Sequence, residues 1–251
     1  MINSEKRKFN FLGLKFSNYT IDEVVERLEH FVKTTKPHMV STITAELVAR
    51  ANESKDLKEI YNNVDLLTID SFIIYYAARL FGKPAAKPVH ATRLALRFLP
   101  VMNNKVYSLY VLGAKDDVVR KAVENIKAQY PRVNILGFHH GYFDINNDKQ
   151  IVRDIKEKRP DVLFVGMSSP LKENFISKNL KEMNIPVSIA VGGGVDIIAG
   201  KCRLAPLWVS KLGVEWFYRF AQEPKRMWKR YTITNIKFMG LLVKEIFKGK
   251  K

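Results

Sequence analysis

The sequence predicts an α/β fold, a parallel sheet flanked by helices. Two observations carry that expectation. Short β-branched and aromatic runs alternate along the chain with segments whose apolar residues recur at three- and four-residue steps, and strands alternating with helices build a parallel sheet covered on both faces. The last such run, Pro186 to Val191, stops abruptly at Gly192, Gly193 and Gly194 before a helix-like segment. A strand running into glycines and then a helix brings backbone N–H groups up to an anionic ligand.

In chain order, Phe9 to Phe16 reads as a short strand or hairpin. Thr20 is a good N-cap for an amphipathic helix carrying Ile21, Val24, Val25, Leu28 and Phe31 on one face. His38 to Ile43 is a strand, Thr44 to Glu53 a helix, Val64 to Ile69 a strand and Phe72 to Leu80 a helix. The loop GKPAAKP leads to a helix with Leu94, Leu96, Phe98 and Leu99. Val106 to Leu112, Asn134 to Phe138 and Asp161 to Met167 are further strands. Helices follow them from Lys115 to about Tyr130, from about Asn147 to Lys158, and from Pro170 to Met183. Ligands of parallel sheets sit at the carboxyl ends of strands, the positions of Thr42, Asp70, Gly113, Ser168 and Gly192.

Composition narrows the classes. At 251 residues, with 47% hydrophobic and 27% charged side chains, the chain buries a full core. Its net charge of +17 is unevenly placed: residues 201–251 hold 13 basic and 3 acidic side chains, and such a segment attracts polyanions. Here Arg203, Lys211, Arg219, Lys225, Arg226, Lys229 and Arg230 alternate with Trp208, Trp216, Phe217, Tyr218 and Trp228. After Arg230, the residues Ile233, Ile236, Gly240, Val243 and Phe247 form an apolar stripe at helical spacing, which suits an interfacial helix on an anionic membrane better than nucleic acid. The single Cys202 excludes a disulfide scaffold and fits a reducing cytosol. The N-terminal MINSEKRKF is charged and FNFLGLKF is broken by Lys15, so no secretory leader is expected. No run approaches the roughly 20 apolar residues of a spanning helix.

Asp70 has two compatible readings, an N-cap for the helix that follows and a carboxylate base at a strand end. The glycine run is no G-x-G-x-x-G dinucleotide fingerprint. His139-His140 lacks partners at metal-ligand spacing. Asp144, Asn146 and Asp148 imitate a calcium loop, but Lys149 stands where its glycine belongs and Ile155 where its glutamate belongs. Asp116 and Asp117 complement a helix dipole. Ser168 has no nucleophile elbow around it; Ser168-Ser169-Pro170 with Glu173 reads as a helix start, which can also hold a ligand's hydroxyls or phosphate.

Eight blocks, FLGLKFSNYTIDE, STITAELV, VDLLTIDS, LYVLGA, FHHGYF, LFVGMSSPLKENF, VGGGVDIIAGKCRLAP and LGVEWFYRFAQEPKR, run nearly end to end. Together they resemble the WecG/TagA/CpsF family of bacterial glycosyltransferases. The resemblance implies a Rossmann-like core over 1–200 and a basic, amphipathic, membrane-associating C-terminal helical appendage over 201–251. It further implies inverting, metal-independent transfer of a sugar from a UDP-sugar to a polyprenyl-diphosphate-linked sugar. The best-known member reaction moves N-acetylmannosamine onto undecaprenyl-diphosphate-GlcNAc for teichoic acid; relatives serve capsule, enterobacterial antigen or exopolysaccharide. The expected location is peripheral, on the cytoplasmic face of the membrane, and a homo-oligomer is compatible with the apolar tail face. By position, Asp70 matches the family's proposed base and Thr42 its active-site threonine. Gly113, Ala114, Gly192, Gly193, Gly194 and Asp196 lie on the nucleotide side, and Arg219 and Arg226 match the arginines that neutralise the departing diphosphate. No metal ligand is implied.

The chain departs from the family pattern at several points. Asp70-Ser71 replaces Asp-Gly, and Thr44 replaces the asparagine of Thr-x-Asn-Ala-Glu. Pro88, Ala91 and Arg93 replace the arginine, glycine and aspartate of an Arg-x-x-Gly-x-Asp loop, and Pro170-Leu171-Lys172-Glu173 stands for Pro-Lys-Gln-Glu. These changes cluster at the expected sugar pocket and read as a changed donor or acceptor sugar. The alternative is a non-catalytic UDP-sugar-binding member that organises a membrane glycan assembly complex.

Overall fold

The computed structural model describes residues 7–206, 209, 217, 218 and 236–247. It opens on an antiparallel hairpin of β1 (Lys8–Phe11) and β2 (Leu14–Ser17). Helix α1 (Ile21–Val32) then starts at a capping box. Glu23 N–H donates to Thr20 Oγ1 at 3.4 Å, and the Glu23 carboxylate accepts from Thr20 N–H at 2.9 Å. The face expected from periodicity, Val24, Val25, Leu28 and Phe31, is buried.

The chain continues as β3 (His38–Ile43), α2 (Ala45–Glu53), α3 (Lys55–Asn63), β4 (Leu66–Ile69), α4 (Phe72–Leu80) and α5 (Ala91–Lys105). After these come β5 (Ser108–Gly113), α6 (Asp116–Gln129), β6 (Asn134–His139), α7 (Lys149–Lys158), β7 (Val162–Gly166), α8 (Leu171–Met183), β8 (Val187–Ile189) and α9 (Gly194–Ile198). Helix α3 is absent from the sequence reading. Ser54 both closes α2 and caps α3 by accepting from Leu57 N–H, so two helices follow one another without a turn motif between them. Strand β8 is shorter than the run Pro186 to Val191, because Val191 N–H turns back to Ile189 O and leaves the ladder.

Among the described residues, the main sheet has six parallel strands in the order β4-β3-β8-β7-β5-β6. Connections running toward the β4 edge pass through α2–α3, α7 and α8, whose apolar residues share one buried cluster. Those running toward β6 cross by α5 and α6, which join α1 and α9 in a second cluster, while α4, between β4 and α5, packs in the first. Opposite directions taking opposite faces is what right-handed crossovers require. Strands β5 and β7 are buried along their whole length, as a doubly covered sheet demands.

Residues 236–247 are helical. Phe238 is fully buried, Leu241 and Leu242 pack on the first cluster, and Lys237 Nζ lies 2.8 Å from Glu53 Oε1. The opposite side presents Ile236, Met239, Val243, Ile246 and Phe247 to solvent. The stripe read from Ile236, Gly240, Val243 and Phe247 is therefore the outer face, and a second apolar set docks the helix on the core. Ile233 lies outside the described residues. No described helix is long and apolar enough to cross a membrane.

Removing the capping hydroxyl in Thr20→Ala is expected to destabilise the fold by about 1 kcal/mol. Urea unfolding should show this as a lower midpoint at unchanged slope.

Candidate active site

The carboxyl ends of β3, β4, β5, β7 and β8 converge on one cavity of about 990 Å³, a size suited to a sizeable polar ligand. Thr42, near the end of β3, is 5% exposed. Its neighbour across the ladder is Thr68, and Asp70 follows two residues later. Asp70 N–H donates to Ile43 O at 3.0 Å, which holds the backbone in register just past the strand. The Asp70 carboxylate is then gripped at both oxygens. Oδ2 accepts from Thr42 Oγ1 at 2.6 Å and from Ala91 N–H at 3.4 Å, while Oδ1 lies 2.7 Å from His90 Nδ1.

Asp70 does not cap the helix that follows it. The N-cap of α4 is Ser71, at an extended φ of −134°, with no side-chain cap bond. The carboxylate instead reaches the first N–H of α5. The loop Pro88 to Arg93 therefore carries chemistry of its own. Val89 N–H donates to Ile69 O at 2.7 Å, His90 faces Asp70, and Arg93 Nη2 donates to Ala205 O at 2.7 Å. Thr44 N-caps α2 by accepting from Leu47 N–H, a role open equally to asparagine.

The glycines have distinct roles. Gly113 has φ +139°, and a Cβ there would lie 2.5 Å from Gly166 Cα, so β5 and β7 meet through bare backbone. Gly113 thus sits behind the wall, and Ala114 lines the cavity. Gly192, at φ +53°, and Gly193 line it as well, with open space around Gly193. Gly194 opens α9 beneath them. The N–H groups of Ala114, Gly192 and Gly194 donate to Gly166 O, Val165 O and Val191 O. These three amides are engaged inside the fold, and side chains supply most of the cavity's positive charge.

Those side chains are Arg50, Lys115, Lys172, Lys201, Arg203 and Lys237. Asp196 also lines the cavity and pairs with Lys201 at 3.3 Å, which raises the Lys201 pKa. Arg50 Nη2 lies 3.0 Å from Glu46 Oε1. Lys172 is the enclosed one. Its ammonium is 2.6 Å from Glu173 Oε1 and hydrogen-bonds Ser169 Oγ. Glu173, fully buried, also accepts from Tyr61 Oη and Ser169 Oγ, each at 3.0 Å. Burial first, and then the Glu173 charge, push the Tyr61 phenol far above its ordinary range, so it remains a donor. Arg219 and Arg226 lie outside the described residues.

The remaining motifs stay local. His139 Nδ1 is 2.8 Å from His140 O, and His140 Nδ1 accepts from Tyr142 N–H. Asp148 is buried against Lys178 and Asn179. Sequence reasoning passed over His90, Lys172 and Arg50. His90 stands at an unspecified position of the Pro88 to Arg93 loop, Lys172 stands within the Pro170 to Glu173 departure, and Arg50 stands four residues after Glu46 on one helix face.

A family model described as the glycosyl transferase WecG/TagA/CpsF family matches residues 9–251. The chain belongs to that family. Among its relatives, the N-acetylglucosaminyldiphosphoundecaprenol N-acetyl-beta-D-mannosaminyltransferase of Staphylococcus aureus (strain MW2) is 28% identical over 250 residues, covering 99% of this chain and 95% of the relative. The protein of the same name from Bacillus subtilis (strain 168) is 27% identical over 240 residues, covering 95% and 92%. The protein is thus a glycosyltransferase, and its α/β core with a C-terminal helix is the architecture that the resemblance implies.

In this glycosyltransferase, Lys172→Met strands a buried carboxylate and is expected to destabilise the fold by about 3–5 kcal/mol. Adding Glu173→Gln should recover most of the loss, and the urea midpoints of the single and double variants measure that coupling.

Proposed function

We propose that the protein moves a sugar, N-acetylmannosamine or a related hexose or uronic acid, from a UDP-sugar to a polyprenyl-diphosphate-linked sugar. The observation that carries this reading is the meeting, in one cavity, of a firmly held carboxylate with a ring of cations. Inverting transfer needs the acceptor hydroxyl deprotonated as it attacks the anomeric carbon, and it needs positive charge where the diphosphate departs. The Asp70 end of the cavity serves the first need, with Thr42 fixing the carboxylate. Arg50, Lys115, Lys172, Lys201 and Arg203 serve the second, joined in this reading by Arg219 and Arg226. Ammonium and guanidinium groups do at a diphosphate what a divalent ion does elsewhere, so no metal is required. The relatives' names, which specify a diphosphoundecaprenol-linked acceptor, support this substrate class.

The lipid-linked acceptor brings the reaction to a membrane surface. The solvent-facing Ile236, Met239, Val243, Ile246 and Phe247 fit shallow insertion, with Lys237 and Lys244 on the same helix for anionic headgroups. This reading treats residues 201–251 as an appendage that docks on lipid and closes over the donor, at the cytoplasmic face. Pairing of two copies through the same apolar face is the arrangement expected away from lipid.

UDP release by the purified protein, offered a panel of UDP-sugars and a short-chain prenyl-diphosphate-GlcNAc, is expected to require both substrates and to persist in EDTA. Asp70→Asn should lower it at least about 100-fold at unchanged UDP affinity. Silence across the panel with UDP still bound would favour the non-catalytic, complex-organising reading. Release that stops in EDTA would overturn metal independence.

A further inference from the structure

Two oxygens and their neighbours decide where the acceptor's proton goes. A carboxylate that already accepts hydrogen bonds at both oxygens is a weaker proton acceptor than a free one. Asp70 is in that position, held by Thr42, by Ala91 N–H and by His90. An ionised carboxylate can only accept, so the His90 nitrogen facing it, Nδ1, carries a proton, and in the neutral ring Nε2 then carries the lone pair. The His90 ring is part of the cavity wall, with 16% of its side chain exposed.

Resting on the transfer reading above, we infer that His90 is the general base and that Asp70 is its positioning carboxylate. As the acceptor oxygen bonds to the anomeric carbon, the bond from that carbon to the diphosphate oxygen breaks, and UDP leaves with the electron pair. The hydroxyl proton passes to His90 Nε2. The imidazolium so formed is stabilised by Asp70 at 2.7 Å and returns its proton to solvent before the next turnover. Thr42 and the first N–H of α5 keep the carboxylate turned toward Nδ1.

The prediction is specific in pH. Among the described residues, Asp70 places a charge against the ring. Around the rest of the cavity stand Glu46, Arg50 and Glu53 on α2, Lys115 before α6, Lys172 on α8, Asp196, Lys201 and Arg203 after β8, and Lys237 on the C-terminal helix. Carboxylates ordinarily titrate near about 4 and lysines near about 10, which leaves the range around 6.5 to an imidazole.

The test is the pH profile of kcat/KM with UDP-N-acetylmannosamine and prenyl-diphosphate-GlcNAc, for the parent, His90→Asn, His90→Ala and Asp70→Asn. Asn retains a donor amide for Asp70 and lacks the second nitrogen. The expected results are an acid limb at about 6.5 or above in the parent and a loss of about 100- to 10,000-fold in His90→Asn at unchanged UDP affinity. Added imidazole should partly restore His90→Ala, rising with pH. An active His90→Asn with a limb near about 4, beside an inactive Asp70→Asn, would overturn this inference and leave the transfer reading standing with Asp70 as direct base. Full activity in both variants would overturn both.

Discussion

The carboxylate of Asp70 fastens three separate elements where the sheet opens. It takes a hydroxyl from β3, stands itself at the end of β4, and receives the first backbone N–H of α5 beside the His90 ring. The charge placed there is stabilised by these donors and by partial exposure to solvent. The same fastening fixes the Pro88 to Arg93 loop, and through Arg93 and Ala205 it reaches the segment after α9. The geometry of this part of the cavity wall is therefore tied to one carboxylate.

Opposite that wall, the cavity is electropositive in a graded way. Lys172 is held inside by Glu173, which is itself fixed by Tyr61 and Ser169. Arg50, Lys201 and Lys237 are pinned by single acidic partners at the rim. Lysines and arginines positioned before a ligand arrives need little reorganisation when negative charge develops, which is the arrangement that favours a departing diphosphate. Packing between Gly113 and Gly166 draws β5 and β7 together beneath this region, so the charged groups rest on a rigid floor.

Much of this was legible in the chain because periodicity and capping act locally. Thr20 with Glu23, the buried run of β3 and the stop at Gly113 each announce themselves within a few residues. Helix α3 did not, since Ser54 serves two helices at once and no glycine or proline separates them. At the site, Thr42 and Asp70 were readable as strand-end residues and from the family pattern. The partnership of Asp70 with His90 spans 20 residues and a helix, and the Lys172–Glu173–Tyr61 group spans more than a hundred. Such groups become neighbours only through topology. The glycine run illustrates the opposite case. Its sequence suggests open amides, yet two of the three glycines use theirs to hold β7 and the turn into α9.

The most direct measurement of the central claim is a structure determined with UDP and a prenyl-diphosphate-GlcNAc bound together. The account predicts the nucleotide diphosphate among Arg50, Lys172, Lys201 and Arg203, with the acceptor hydroxyl directed at the His90–Asp70 pair. Substrates bound elsewhere on the molecule, or a diphosphate seated against Asp70 itself, would contradict it.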